Sequence, residues 1–318
     1  MASRPKKSSA LHLSMRASSA LPMVLKPCLR EVSSAVKRFE CGQGVREVHK
    51  LRVAIRRTHT ALAVFRRLAP TKKLSHLDAE LHRLQRRIGF VREWDVFIAG
   101  ALRNGDIGSD KHRFASACAK ASRRRKKAAK RSAADFGSKR FRKLMRHLEA
   151  FAGHVRNNEA IRRSDVRNGT SDLSMDPPIS TFAKEVLVEY YARFELEQRK
   201  ANDLGSRHLH ALRIRVKKLR YVAEFFRDLY PVRPMQRLLS VLTTFQDQLG
   251  EVHDYYVAQS KMAGLQKKKK NVAAVAFMGD VDTLGKLTAA EKLVWAAAGA
   301  IGVEQSQPSK SYGAVSHD

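Results

Sequence analysis

Acid is what this chain lacks most: 30 Asp and Glu stand against 62 Lys and Arg in 318 residues, a formal charge of +32. A chain so unbalanced repels itself when compact and seeks polyanions, of which nucleic acid, anionic membrane and polyphosphate are the candidates. Cysteine is nearly absent. Cys28, Cys41 and Cys118 are too few and too scattered for a disulfide framework or a CxxC metal site, and free thiols point to a reducing compartment. No apolar run reaches the length of a membrane span; the longest apolar-rich stretch, Leu293 to Ile301, is short and Ala-rich and reads as a packed terminal helix. P-loops, Gly-rich phosphate loops, nucleophile elbows and HExxH are missing. So is any credible pair of carboxylates for acid and base work, which argues against a phosphatase; the expectation is a chain with no catalytic residues and no cofactor. Strand signals are absent too. The 43% hydrophobic content is nevertheless ordinary for a folded protein and excludes a disordered basic tail.

What is present is one basic helix written twice. Residues 49 to 70 read HKLRVAIRRTHTALAVFRRLAP and residues 210 to 231 read HALRIRVKKLRYVAEFFRDLYP. Counting 161 residues on, His49 aligns with His210, Arg52 with Arg213, Arg56 with Lys217, Phe65 with Phe226 and Pro70 with Pro231. The register continues without a gap to Gly89 and Gly250, and to Arg92-Glu93 and His253-Asp254. That length of agreement marks an internal duplication.

At 100° per residue, His49, Arg52, Arg56 and His59 share one narrow arc, and Leu51, Ile55, Thr58, Leu62 and Phe65 take the opposite side. In the second copy His210, Arg213, Lys217 and Arg220 share a face, and Leu212, Val216, Leu219 and Phe226 the other. The apolar stripe buries against neighbouring helices. The cationic stripe spaces its charges about one helical turn apart, roughly 5–6 Å, which is comparable to the spacing of phosphates along a chain. A charge run on one helix is ordinarily a solvated face. Here the stripe has almost no acids for i,i+4 pairing, and it recurs.

These residues resemble the CHAD family, the conserved histidine α-helical domain. Its helix has the form HxLRxxxRR or HxLRxxVKKLRY, which matches His49-Lys50-Leu51-Arg52 with Arg56-Arg57, and His210-Ala211-Leu212-Arg213 with Lys217-Lys218-Leu219-Arg220-Tyr221. A second family motif, LGxVRDxDV, is similar to Ile88-Gly89-Phe90-Val91-Arg92-Glu93-Trp94-Asp95-Val96, with Glu93 in place of the usual Asp, and is echoed at Leu249 to Asp254. Ser138-Lys139-Arg140-Phe141 resembles the family's SxRF element. The resemblance covers roughly residues 25 to 300. It implies an all-α fold of two antiparallel helical bundles related by an internal pseudo-twofold, with a basic central channel that binds inorganic polyphosphate, and a binding module without established catalytic residues.

The organisation reads as helical throughout. Residues 1–30, rich in Ser, Ala, Lys and Arg with no acid before Glu31, read as a disordered basic arm; in a eukaryote the same composition would suit an organellar transit peptide. The first bundle half spans 31–167, with a break at Cys41 to Gly44, a stop at Pro70, and helices expected over Lys72 to Leu102, Asp110 to Ala133 and Lys139 to Ser164. Leu74, Leu77, Leu81, Leu84 and Ile88 step along the first of these in heptad fashion. Residues 168–178, with Gly, Ser, Asp and two prolines, read as the linker. The second half spans 179–304, with helices over Ile179 to Asn202, Leu209 to Tyr230, Arg233 to Lys261 and Asn271 to Gly302. Residues 305–318 read as an unstructured tail.

The most cationic stretch is 120–146, where Asp135 is the only acid. Consecutive positions fan 100° apart, so Arg123, Lys127 and Lys130 or Arg131 are expected to share a phosphate-facing side, with their neighbours solvated. Lys267 to Lys270 reads as a solvated loop. With Arg92 and Arg140 from the family motifs, these residues complete the candidate polyphosphate-binding set. Glu93, Asp95 and Asp254 either orient the bases or cap and solvate their own helices. A metal at His253-Asp254 is a weak reading, and none is expected. Arg offers a planar fork to phosphate oxygens, Lys a point charge, and His a charge that a bound anion would promote. The Phe residues lie on apolar faces and only Tyr221 adjoins a basic stripe, so the base-stacking platform that nucleic acid uses is thin; nucleic acid stays the alternative ligand. The resulting expectation is a cytoplasmic chain associated with polyphosphate granules.

Overall fold

The computed structural model describes residues 10–68, 72–103, 111–167, 176–201, 206–265, 294 and 296–302, with the backbone alone at 72–73, 101–103, 111–114, 154–167, 201, 206–207 and 251–265. Its helices are α1 (Ala17–Cys41), α2 (Val45–Phe65), α3 (Lys72–Arg103), α4 (Lys111–Phe136), α5 (Lys139–Arg167), α6 (Ile179–Ala201), α7 (Ser206–Phe226) and α8 (Val232–Leu265). Among the described residues there is no strand; one isolated antiparallel bridge joins Arg16 to Pro178.

Each repeated helix forms for the reason its spacing gives. Leu51, Ile55, Thr58, Leu62 and Phe65 of α2 are buried, as are Leu212, Val216, Leu219 and Phe226 of α7. The α3 row Leu74, Leu77, Leu81, Leu84 and Ile88 is buried from end to end. α2 and α7 both tighten into a 3-10 turn, Arg66–Leu68 and Arg227–Leu229, before a proline that cannot continue the helix.

The duplication is visible in space. Moving α2 along by 161 residues reproduces the bounds of α7, and the two 3-10 turns coincide in the same way. α2 packs on α7 and α3 on α8, so counterpart helices of the two halves meet. Phe65 and its counterpart Phe226 lie there, ring centroids 6.3 Å apart, with Phe182 stacked on Phe65 at 5.5 Å. One continuous apolar core runs through both halves. Trp94, Phe97, Ala117 and Ala121 form a small satellite between α3 and α4.

The amino-terminal expectation is overturned. α1 begins at Ala17, not at 31. Leu21, Val24, Leu25, Cys28, Leu29 and Val32 are buried, a helical apolar stripe that the basic composition and the internal prolines Pro22 and Pro27 disguise. The same stripe recurs in α6 as Ala183, Val186, Leu187, Tyr190, Tyr191 and Phe194, one residue out of the α2–α7 register. The end of the expected linker is also not slack. Asp176 accepts the Ser18 N–H at 3.0 Å and bonds its hydroxyl, satisfying donors at the α1 N-terminus where negative charge is favoured. Ala17 N–H donates to the Pro177 carbonyl and Ile179 N–H to the Met15 carbonyl. Residues 168–175, the Lys267 to Lys270 loop and the 305–318 tail lie outside the described residues. Of the expected last helix, Val294, Ala297, Ala298 and Ile301 are described and buried in the core.

Candidate anion-binding groove

α2 and α7 cross with their cationic stripes turned toward each other, because their apolar stripes face the core. His49, Arg52 and Arg56 on α2 meet His210, Arg213 and Lys217 on α7, and Arg92 reaches in from α3. The charges that act on Arg52 are those of Arg56, Arg213 and Arg92, with Glu93 opposing them. His49 is acted on by Arg92, Arg52, Lys217 and Arg56, and His210 by Arg213, Lys217, Arg52 and Arg56.

Both rings keep an exposed edge but lose water against the walls of the groove. That desolvation first, and the surrounding guanidinium and ammonium charges second, hold both below the ordinary histidine value. Burial, then Arg56 and Arg213, push Arg52 down to about 9, so it remains charged at neutral pH. Its Nε is buried and has no hydrogen-bond acceptor among the described residues. A buried donor without an acceptor is costly. Gly89 is buried, yet a methyl group there would meet nothing within 4 Å, and at Gly250 the nearest atom would be Arg213 Nη2 at 3.7 Å.

The other candidate residues divide. His59 lies 3.0 Å through Nε2 from Asp78 Oδ1; the bond from His59 holds the Asp78 carboxyl below the usual range. Lys218 is half-buried and acted on by Arg215, Arg193, Asp78 and Arg56. Arg57 is turned away from the groove, toward α1. It sits 3.9 Å from Glu31 and 3.7 Å from Glu224, over the Phe225 ring. Arg220 donates to Glu224 at 2.7 Å and Gln246 at 3.2 Å. Carboxylates hold both: Arg57 between Glu31 of α1 and Glu224 of α7, and Arg220, although it shares the wheel face of Arg213, by Glu224 and Gln246 of α8.

Arg140 is likewise an internal partner: it pairs with Glu80, and that bond holds the Glu80 carboxyl below its usual range. The SxRF element is structural here. Ser138 Oγ accepts the Phe141 N–H at 3.1 Å, an N-cap on α5, while Phe141 packs edge-on to Phe136. On α4, Arg123, Lys127, Lys130 and Arg131 are all exposed. The inward side of α4 carries Arg125, whose Nε donates to buried Asp95 at 2.8 Å and whose Nη2 donates to the Gln43 carbonyl. Asp95 therefore orients a base, though one the sequence reading left out. The run of like charges hid it, since only the position of Asp95 tells which member turns inward. His82 and Arg86 on α3 were also missed. Asp78, His82, Gly89 and Arg92 fall on one α3 face at helical spacing, a signal the sequence does contain. The side chains of His253 and Asp254 lie outside the described residues. Among the described residues no group of three or more His, Cys, Asp or Glu could hold a metal, and no helix is long and apolar enough to cross a membrane.

The arrangement is a row of cations drawn from α2, α7 and α3 that act on one another. The family model of the CHAD domain matches residues 23–263. The crystal structure of the CHAD domain from the plant Ricinus communis is similar at 21% identity and a TM-score of 0.69, covering 96% of this chain and 98% of that one. PptA from Streptomyces chartreusis, at 15% identity and a TM-score of 0.46 over 91% of this chain and 98% of its own, is too distant to add to the fold. No curated protein matches the sequence. Duplication, all-α architecture and the family match over most of the chain agree: this protein belongs to the CHAD domain family.

Proposed function

We propose that the chain binds inorganic polyphosphate in the α2/α7 groove and acts as a binding module. The observation that carries this reading is the meeting of His49, Arg52 and Arg56 with His210, Arg213 and Lys217, where Glu93 is the acid acting on Arg52. Guanidinium forks one helical turn apart can each hold a phosphate oxygen pair, and successive phosphates of one chain can meet successive cations. Tyr221, the one aromatic that adjoins a repeated basic stripe, is 3% exposed, which favours a ligand without bases. Phe90 on α3, 47% exposed against the expectation that every Phe lies on an apolar face, is the ring a nucleic acid could stack on, so duplex and single-stranded DNA belong in the test. Recruitment to polyphosphate granules is the cellular role that such binding would serve.

Calorimetric titration with long-chain polyphosphate, orthophosphate, duplex DNA and single-stranded DNA tests the reading. Long-chain polyphosphate should bind far more tightly than orthophosphate, and its affinity should fall steeply with salt as counterions are released. Equal affinity for either DNA and for polyphosphate at matched phosphate concentration would replace this reading by general polyanion binding.

A further inference from the structure

The two halves differ in what surrounds one pair of related cations. Arg57 on α2 and Lys218 on α7 are counterparts in the duplication. Around Arg57 stand Glu31 of α1 and Glu224 of α7, with Arg220 bonded to the same Glu224. Two cations and two carboxylates balance there, and Phe225 covers the guanidinium. Around Lys218 the related places are filled differently. In the α1–α6 register set by the buried stripes, Glu31 corresponds to Arg193; Glu224 corresponds to Ala63. Arg193 and Arg215 both act on Lys218, and so does Arg56 from the groove. The carboxylates nearby are already engaged: Asp78 with His59, Glu189 with Arg67 and Arg193, and Glu197 with Arg215. The flanking helices diverge in the same sense. His82 and Arg86 of α3 correspond to Thr243 and Asp247 of α8, and Lys218 and Arg86 both act on His82.

We propose that the anion track is one-sided: a condensed phosphate chain longer than the α2/α7 groove leaves it past Arg56 into a further subsite formed by Lys218, His82 and Arg86, while the related exit at Arg57 is closed by Glu31 and Glu224. This inference rests on the polyphosphate reading and adds a direction to it. Arg56 is the link, since its charge acts both on the groove histidines and on Lys218. The gradient that would guide the chain is set by fixed charge: cation on cation at one end, neutralised pairs at the other.

The experiment compares long-chain polyphosphate with tripolyphosphate, which is too short to fill both groove and exit. Lys218→Gln/His82→Gln should lose about tenfold in affinity for the long chain, as two phosphate contacts of about 0.7 kcal/mol each would give, and keep its affinity for tripolyphosphate. Lys37→Gln, a charge removed from the outer face of α1, should change neither. Glu31→Gln/Glu224→Gln should open the second exit and raise long-chain affinity selectively. If Lys218→Gln/His82→Gln folds, by its thermal midpoint, and loses both ligands by the same factor, or neither, the one-sided track is overturned while polyphosphate binding stands. Failure of the unaltered chain to bind either ligand overturns the polyphosphate reading itself.

Discussion

His49 and His210 should dominate the pH response of binding. In the free chain both lie below the ordinary histidine value, chiefly through desolvation and then through neighbouring cations. As pH falls through about 6.5, the unfolded chain takes up these protons before the folded chain does. Stability of the free protein contributed by these two groups therefore falls as pH drops across that window. Bound polyanion reverses the local potential and favours imidazolium. Affinity for polyphosphate should accordingly rise between about pH 8 and about pH 6, with proton uptake seen as a buffer-dependent binding enthalpy. His49→Gln/His210→Gln should flatten that rise; an unchanged slope in a stably folded double variant assigns both rings to packing. A second residue-scale expectation concerns Asp95, whose side chain is 1% exposed against 17% for its partner Arg125. Removing one member of a buried pair strands the other, so Asp95→Ala should cost about 3 kcal/mol in urea unfolding. A cost below about 0.5 kcal/mol would mean that Arg125 swings out to water.

At the level of the helix, periodicity made α2, α3 and α7 legible. An apolar residue every third or fourth position has one face to bury, and those residues are buried. Phe65→Ala should remove a ring that Phe182 and Phe226 both touch and cost about 3 kcal/mol or more in thermal or urea unfolding. The first turns of α1 were not legible, because composition argued for a solvated arm and two prolines argued against a helix, while the capping carboxylate comes from Asp176 in another segment. The partner of Arg140 was not legible for a related reason. Its motif says that an arginine sits at the start of α5, but only the fold brings Glu80 to it across 60 residues. Arg140→Ala should therefore leave polyphosphate affinity unchanged in the titration; a loss matching that of a groove arginine would return Arg140 to the site.

For the whole molecule, the duplication could be read as a register in the sequence, and with it the pairing of α2 with α7. The departure from symmetry could not, since Glu31 and Glu224 reach Arg57 from two other helices. Net charge is the competing explanation for any polyanion affinity in a chain of +32. Ligand that binds only the folded state stabilises it by mass action, about 2.7 kcal/mol at a hundredfold excess over Kd, so long-chain polyphosphate should raise the thermal midpoint and orthophosphate should not. That shift alone does not separate groove from surface. The direct measurement is polyphosphate affinity, by calorimetry at one salt concentration, for two variants that lose the same formal charge. Arg52, Arg56, Arg213 and Lys217 changed together to Ala should weaken binding by about 4 kcal/mol, at roughly 1 kcal/mol per charge-assisted contact. Arg123, Lys127, Lys130 and Arg131, exposed on α4, should lose little when changed in the same way. Equal losses in the two variants would contradict the groove and leave net charge as the cause.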